Sequence, residues 1–181
     1  MLQKIFLVFK YYRMIRIGLL SDTHGVWDDS LISFFSNCDE IWHAGDIGSL
    51  ELADKIAAYK PLRAVYGNID DSKVHIVYPK YQYFKVEGVN VLITHIGGTP
   101  NNNDPIARSL IDQFPPNLFI CGHSHILKVK FDKKENFMYM NPGAAGNFGP
   151  HRVRTAVRFV VDGANISDLE IWEKKKSTPA L

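Results

Sequence analysis

Five times along this chain a short apolar run, rich in β-branched residues, stops at a small or polar residue and then delivers a side chain able to bind a metal ion. "MIRIGLLSDTHG" delivers Asp22 and His24, "EIWHAGD" delivers Asp46, and "LRAVYGN" delivers Asn68. "NVLITH" delivers His95, and "NLFICGHSH" delivers His123 and His125. Short apolar runs bounded by turn residues read as buried strands. In open α/β sheets, ligands bind beyond the carboxyl ends of the strands. The pattern therefore demands a fold that brings five strand ends to one edge. Each motif alone has an ordinary reading: Asp22 and His24 opening a loop, Gly45-Asp46 and Gly67-Asn68 as turns, His95 as a hydrogen-bonded histidine. The conjunction carries the inference.

Helical segments separate the early strands. Asp28, Asp29 and Ser30 precede Leu31, Ile32, Phe34 and Phe35; Ser49 precedes the helical spacing of Leu50, Leu52, Ala53, Ile56 and Ala57; a further helix is expected over 105–113. Strand–helix alternation implies parallel sheet and an α/β class. Later apolar runs, at 77–86, 126–132, 137–141, 154–161 and 166–172, read as strands without intervening helices, hence a mixed second sheet. Two packed sheets flanked by helices accommodate both halves in one domain, expected over 14–173. Residues 1–13 read as an added or variable leader, with an edge strand as the alternative, and 174–181 as a polar, flexible tail.

Composition narrows the partners. A net charge of +2 and no basic stripe with interleaved aromatics argue against a nucleic-acid groove. No apolar run approaches the ~20 residues of a membrane span, and the apolar core at 5–9 is too short for a secretory signal, so the cytoplasm is the expected location. Cys38 and Cys121 lie far apart without CxxC spacing and read as buried free thiols.

The seven candidate ligands comprise two carboxylates, four imidazoles and one amide, a nitrogen–oxygen set without thiolate. Such a set suits manganese, iron, nickel or zinc. Seven ligands exceed the needs of one tetrahedral ion, whereas two ions sharing a bridging carboxylate, ~3.5–4 Å apart, would use them all. Two divalent ions against two aspartates leave local positive charge, which suits a phosphate ester.

Carrying "DTH" at 22–24, "GD" at 45–46, "GN" at 67–68, His95 and "GHSH" at 122–125 in this order, the chain resembles the calcineurin-like metallophosphoesterases. "NPG" at 141–143 is similar to a further segment of the small YfcE-like phosphodiesterases, a subgroup that includes the metallophosphoesterase-like subunit of eukaryotic retromer. The resemblance covers roughly 15–172 and implies a four-layer α/β/β/α sandwich with two mixed central sheets. It also implies two divalent metal ions, manganese foremost. Asp22, His24 and His125 would hold the first, Asn68, His95 and His123 the second, and Asp46 would bridge them. A metal-bridging hydroxide would attack phosphorus in line with the leaving oxygen.

Two departures from the family pattern stand out. Many of these phosphatases carry a histidine after the motif asparagine, thought to protonate the leaving group; here Ile69, which cannot donate a proton, takes that place, where small YfcE-like members often have cysteine. After His95 comes Ile96 rather than glycine, with Gly97 and Gly98 following, which predicts a small loop change and a shifted substrate pocket.

Among further candidates, Asp70 is expected to orient a ligand histidine, with a solvated turn carboxylate as the alternative. Arg152 is expected to contact a substrate phosphate, with a plain surface arginine as the alternative. His43 reads as a satisfied buried histidine, His75 as superficial, and Trp27 as either pocket wall or core. His151 follows the same Gly/Pro/Asn-rich loop as Arg152 and carries no assigned role. The leading expectation is a phosphodiesterase acting on small phosphate esters. The alternatives are a protein-binding scaffold that keeps a vestigial metal site, its apolar patch formed by Phe131, Phe137, Phe148 and the leader, and a phosphomonoesterase. A homo-oligomer is left open.

Overall fold

In the computed structural model, which describes residues 13–100 and 102–176, each of the five apolar runs is a strand. The chain order is β1 (Ile15–Leu20), α1 (Asp29–Phe34), β2 (Glu40–His43), α2 (Leu50–Tyr59), β3 (Leu62–Ala64), α3 (Ser72–Val77), β4 (Tyr81–Val86) and β5 (Val89–Thr94). Two-residue strands β6 (Gly98–Thr99) and β7 (Asn102–Asn103) follow, then α4 (Pro105–Gln113), β8 (Leu118–Ile120), β9 (Leu127–Asp132), β10 (Phe137–Pro142), β11 (Val153–Asp162) and β12 (Asn165–Lys175).

The first large sheet has the order β12-β11-β1-β2-β3 and the second β4-β5-β8-β10-β9. β1, β2 and β3 are parallel, as are β5, β8 and β10, while the pairings β11 on β1, β12 on β11, β4 on β5 and β9 on β10 are antiparallel, so both sheets are mixed. Register levels the parallel ends: Leu20 lies opposite His43 and His43 opposite Ala64 in the first sheet, and Ile93 opposite Ile120 in the second. The loops bearing Asp22, Asp46 and Asn68 therefore leave one edge side by side.

The sheets face each other across a core that includes Ile17, Leu19, Trp42 and Val65 from the first and Val91, Ile93, Leu118, Ile120 and Met140 from the second. On the outer face of the first sheet, Leu31, Ile56 and Val74 of the helices pack with Leu20, Ile41 and Ala64. On the outer face of the second, Ala107, Leu110 and Ile111 of α4 pack with Leu92, Phe119 and Tyr139. The result is the expected four-layer α/β/β/α sandwich. Side-chain caps set where the helices start: Asp28 accepts from Leu31 N, Ser49 from Leu52 N, and Asp104 from Ile106 N and Ala107 N with Pro105 opening α4.

Three expectations need correction. The run at 77–86 is not one strand: Asp71 caps α3 through Lys73 N and Val74 N, and the strand begins only at Tyr81. Val77, the run's first residue, misleads because it ends α3 and is 53% exposed, an apolar residue outside the core. The tail does not loosen at 174, since β12 continues to Lys175 and Lys174 Nζ donates to Asp28 Oδ2 and Ser30 Oγ. Phe137 is 2% exposed and belongs to the core, not to a docking patch. Of the leader expected at 1–13, residues 1–12 lie outside the described residues. Cys38 and Cys121 are buried free thiols, as expected, and burial pushes their pKa values up to about 11 and about 12.

Candidate metal centre

Five of the seven candidate ligands sit in left-handed backbone: Asp22 at φ +53°, His24 at +46°, Asp46 at +55°, His123 at +66° and His125 at +58°. The only other non-glycine residues with positive φ among those described are Glu87, Asn136 and Asp168. Such conformations cost on the order of 1 kcal/mol or more each and persist where the surroundings over-determine them. Here neighbouring loops do so. Asp22 N donates to Gly45 O at 2.9 Å and His24 N to Asp46 O at 3.1 Å, tying the loop after β1 to the loop after β2. His123 N donates to Asp22 Oδ2 at 3.1 Å, tying in the loop after β8.

The loop after β3 is held by Asp70, and not in the way the sequence suggested. Its carboxylate accepts from three backbone amides: Ile47 at 3.1 Å, Gly48 at 2.7 Å and Gly67 at 2.8 Å. It clamps two loops together instead of orienting a histidine. Ile69 N donates to Asp46 Oδ1 at 3.1 Å. A Cβ at position 67 would overlap the Asp46 carboxylate, so only glycine lets the two loops approach this closely.

The side chains converge acceptor on acceptor. His95 Nδ1 lies 2.8 Å from Ala44 O, which can only accept, so Nδ1 carries the proton and Nε2 is left with a lone pair. That Nε2 faces Asp46 Oδ1 at 3.3 Å and Asn68 Oδ1 at 3.1 Å. A parallel relay fixes His125. His151 Nε2 donates to Gly146 O at 3.1 Å, leaving its Nδ1 to accept from His125 Nδ1 at 3.2 Å. His125 Nε2 then offers a lone pair to Asp22 Oδ1, 3.1 Å away. His24 Nε2 lies 3.8 Å from Asp46 Oδ2. Asp22 Oδ1 and His24 Nε2 are buried with no hydrogen-bond partner among the described residues. Buried polar atoms without partners are costly, and lone pairs facing one another call for a cation.

The ligand atoms of Asp22, His24 and His125 lie within 4.8 Å of one another, as do those of Asp22, Asp46 and His95. Asn68 meets the second group through His95, and the His123 ring stands with its centroid 5.2 Å from that of His95. The residues present thus fit divalent metal by donor chemistry and by their unpartnered atoms. Titration points the same way. Burial works against a charged His95, yet the Asp46 and Asp22 carboxylates outweigh it and raise its pKa. Burial likewise opposes a charged Asp46, but His95 and the Ile69 amide hold its pKa below the ordinary value. Burial lowers that of His24. The carboxylates thus favour positive charge at His95, while burial disfavours it at His24.

His43 is the satisfied buried histidine expected: Nδ1 accepts from Gly45 N at 3.1 Å, Nε2 donates to Thr23 Oγ1 at 2.8 Å, and burial pushes its pKa down to about 4. Trp27 belongs to the core, its ring stacked 6.2 Å from Phe35. Arg152 is exposed; the buried guanidinium is that of Arg154, bonded to Ala145 O and to Asp28 Oδ2 at 2.7 Å. His75 is exposed but not idle: its ring stacks on Tyr66 at 3.9 Å. The sequence reading missed the His151 relay and gave Phe148 only to a docking patch, whereas its ring lies 4.9 Å from His24. Their one sequence signal is Gly149, where a Cβ would overlap the His125 ring.

A two-sheet sandwich with carboxylates and imidazoles converging at one edge defines a metal-binding phosphoesterase architecture. The chain belongs to the calcineurin-like phosphoesterase superfamily, whose domain profile matches residues 15–164. It is 26% identical over 133 residues to a probable metallophosphoesterase of Methanothermobacter thermautotrophicus, covering 71% of this chain and 76% of that one. Among solved structures it resembles Vps29 of Entamoeba histolytica complexed with zinc, at TM-score 0.70 and 14% identity over 89% of this chain and 99% of that one. It also resembles a predicted phosphoesterase of Streptococcus pneumoniae, at TM-score 0.66 and 20% identity over 93% of this chain and 95% of that one. These two likenesses show the shared fold. Among the described residues no helix is long and apolar enough to cross a membrane.

Proposed function

We propose that this protein is a phosphoesterase dependent on two divalent ions, manganese foremost, and that it prefers phosphodiesters whose alcohol leaves as a stable anion. The observation that carries the reading is the convergence of lone pairs at His95, Asn68, Asp46, Asp22 and His125. Asp22, His24 and His125 would hold one ion, and Asn68, His95 and His123 the other. Asp46 suits the bridging position because one carboxylate oxygen faces His95 and the other His24. Bound ions would supply Lewis acidity and a nucleophilic water at neutral pH.

The residues of the chain supply the remainder. Ala44 O and His151 fix the histidine tautomers so that lone pairs, not protons, point inward. Ile69 supplies its amide to Asp46 but no acidic proton to a leaving group. Without a general acid there, alcohols that are stable as anions leave best. Arg152 would contact a phosphoryl oxygen, and Arg152→Ala should then raise KM more than it lowers kcat.

The test is turnover by the manganese-reconstituted chain of bis(p-nitrophenyl) phosphate against p-nitrophenyl phosphate, with Asp46→Asn as control. Faster diester turnover and a collapsed variant support the reading. Wild-type activity in Asp46→Asn would overturn the bridging role. A rate independent of leaving-group pKa would show that another acid supplies the proton. The second reading, a protein-binding scaffold that keeps its site, is favoured by the likeness in fold to Vps29. The loaded protein would then bind ions and turn over no ester.

A further inference from the structure

Beside Asn68 and His95 opens a cavity of about 270 Å³. Tyr66, His75, Ile96 and Ile106 line it, and Lys80 contributes a cation. Small-molecule sites commonly measure roughly 300–1,000 Å³, so this one has room for a single ring-sized group and not for a whole substrate. Because Asn68 and His95 are at once its lining and candidate ligands, a group seated there remains attached to a phosphorus at the centre. Away from Asn68 and His95, much of the lining is aromatic or aliphatic. The Tyr66 and His75 rings are stacked at 3.9 Å and inclined by 27°, and Ile96 and Ile106 are 40% and 56% exposed. Asp104 also borders the space, but its carboxylate accepts from the Ile106 and Ala107 amides. Lys80 forms no ion pair among the described residues.

We propose that this cavity is the subsite for one ester arm and that it selects a planar aromatic ring over an alkyl group, an anionic substituent on the ring meeting Lys80. The proposal rests on the phosphoesterase reading, since it is the phosphorus that brings the arm here. Flat aromatic walls favour rings by stacking as well as by area buried. His75 and Ile96 thereby acquire a use: the first forms a wall of the subsite, and the second is the residue by which the loop after β5 departs from the family pattern.

Single-arm phosphonates test this without turnover. Calorimetric titration of the metal-loaded full chain should find phenylphosphonate binding at least ~10-fold more tightly than methylphosphonate or cyclohexylphosphonate. His75→Ala and Ile106→Glu, both at exposed helical positions, should reduce that ratio to within about twofold. The 4-carboxyphenyl analogue should bind more tightly still, and Lys80→Ala should remove that gain. Equal wild-type affinities, or a ratio unmoved by both variants, would overturn the proposal. Selective binding with no ester hydrolysed would sink the phosphoesterase reading and leave the subsite standing. Hydrolysis with no arm preference would do the reverse.

Discussion

The two halves of the candidate centre are built differently. Asp22, His24 and His125 are enclosed: Asp22 is fully buried, all three stand in left-handed backbone, and two of their ligand atoms lack partners. In the other half only His95 is buried, while Asn68, at the edge of the cavity, and His123 face solvent. On the proposed reading the first half would keep a resident ion, while the second, more open, would exchange its ion and admit substrate. Their supports differ too: His95 is oriented by a backbone carbonyl, His125 by a side chain.

The largest effect expected is that of Asp46→Asn, which touches both halves; turnover of a diester should fall by more than ~100-fold, since a ligand should matter at least as much as the groups behind it. His125→Ala against His123→Ala tests the asymmetry itself. By metal analysis the first should release the tightly held ion and the second only the exchangeable one; equal losses would erase the distinction. Next comes acid stability of the metal-free protein. His43 joins the loops of both halves through Thr23 and Gly45. Its folded pKa, about 4, lies below the ordinary 6.5, so between these values the unfolded chain takes up a proton that the folded chain refuses. Its contribution is complete above pH 6.5 and is lost as the pH falls towards 4, amounting to about 3 kcal/mol. Denaturant titrations across that range should show a slope that flattens in His43→Gln.

His151→Ala should weaken binding in the enclosed half by ~10–100-fold while sparing the open half, as loss of a group orienting a metal-binding histidine does. His151→Asn, which retains an acceptor, should recover part of the affinity. The smallest expected effect is that of Ile69→His, a gain of up to about tenfold confined to esters with poor leaving groups; kcat/KM across a leaving-group series would reveal it.

The parallel strands are legible in sequence because burial on both faces forces continuous apolar runs, and each run ends where a candidate ligand begins. α3 is less so, since Val77 is apolar without being buried. Pairings such as β11 on β1 join segments far apart in the chain and leave no local mark. The role of Asp70 was hidden for the same reason: two of its donors, Ile47 and Gly48, lie on another loop. The His151 relay depends on a carbonyl, that of Gly146, choosing a tautomer, and carbonyls have no letter in a sequence.

Ile69 shows what that last point implies. Its amide holds Asp46, a service any residue but proline performs, while its side chain is 45% exposed. The metal centre therefore places almost no constraint on what is written at position 69. Mutation there can bring in or discard a proton donor without touching a side chain proposed to hold metal, so chemical repertoire can drift in such a chain while its scaffold stands still.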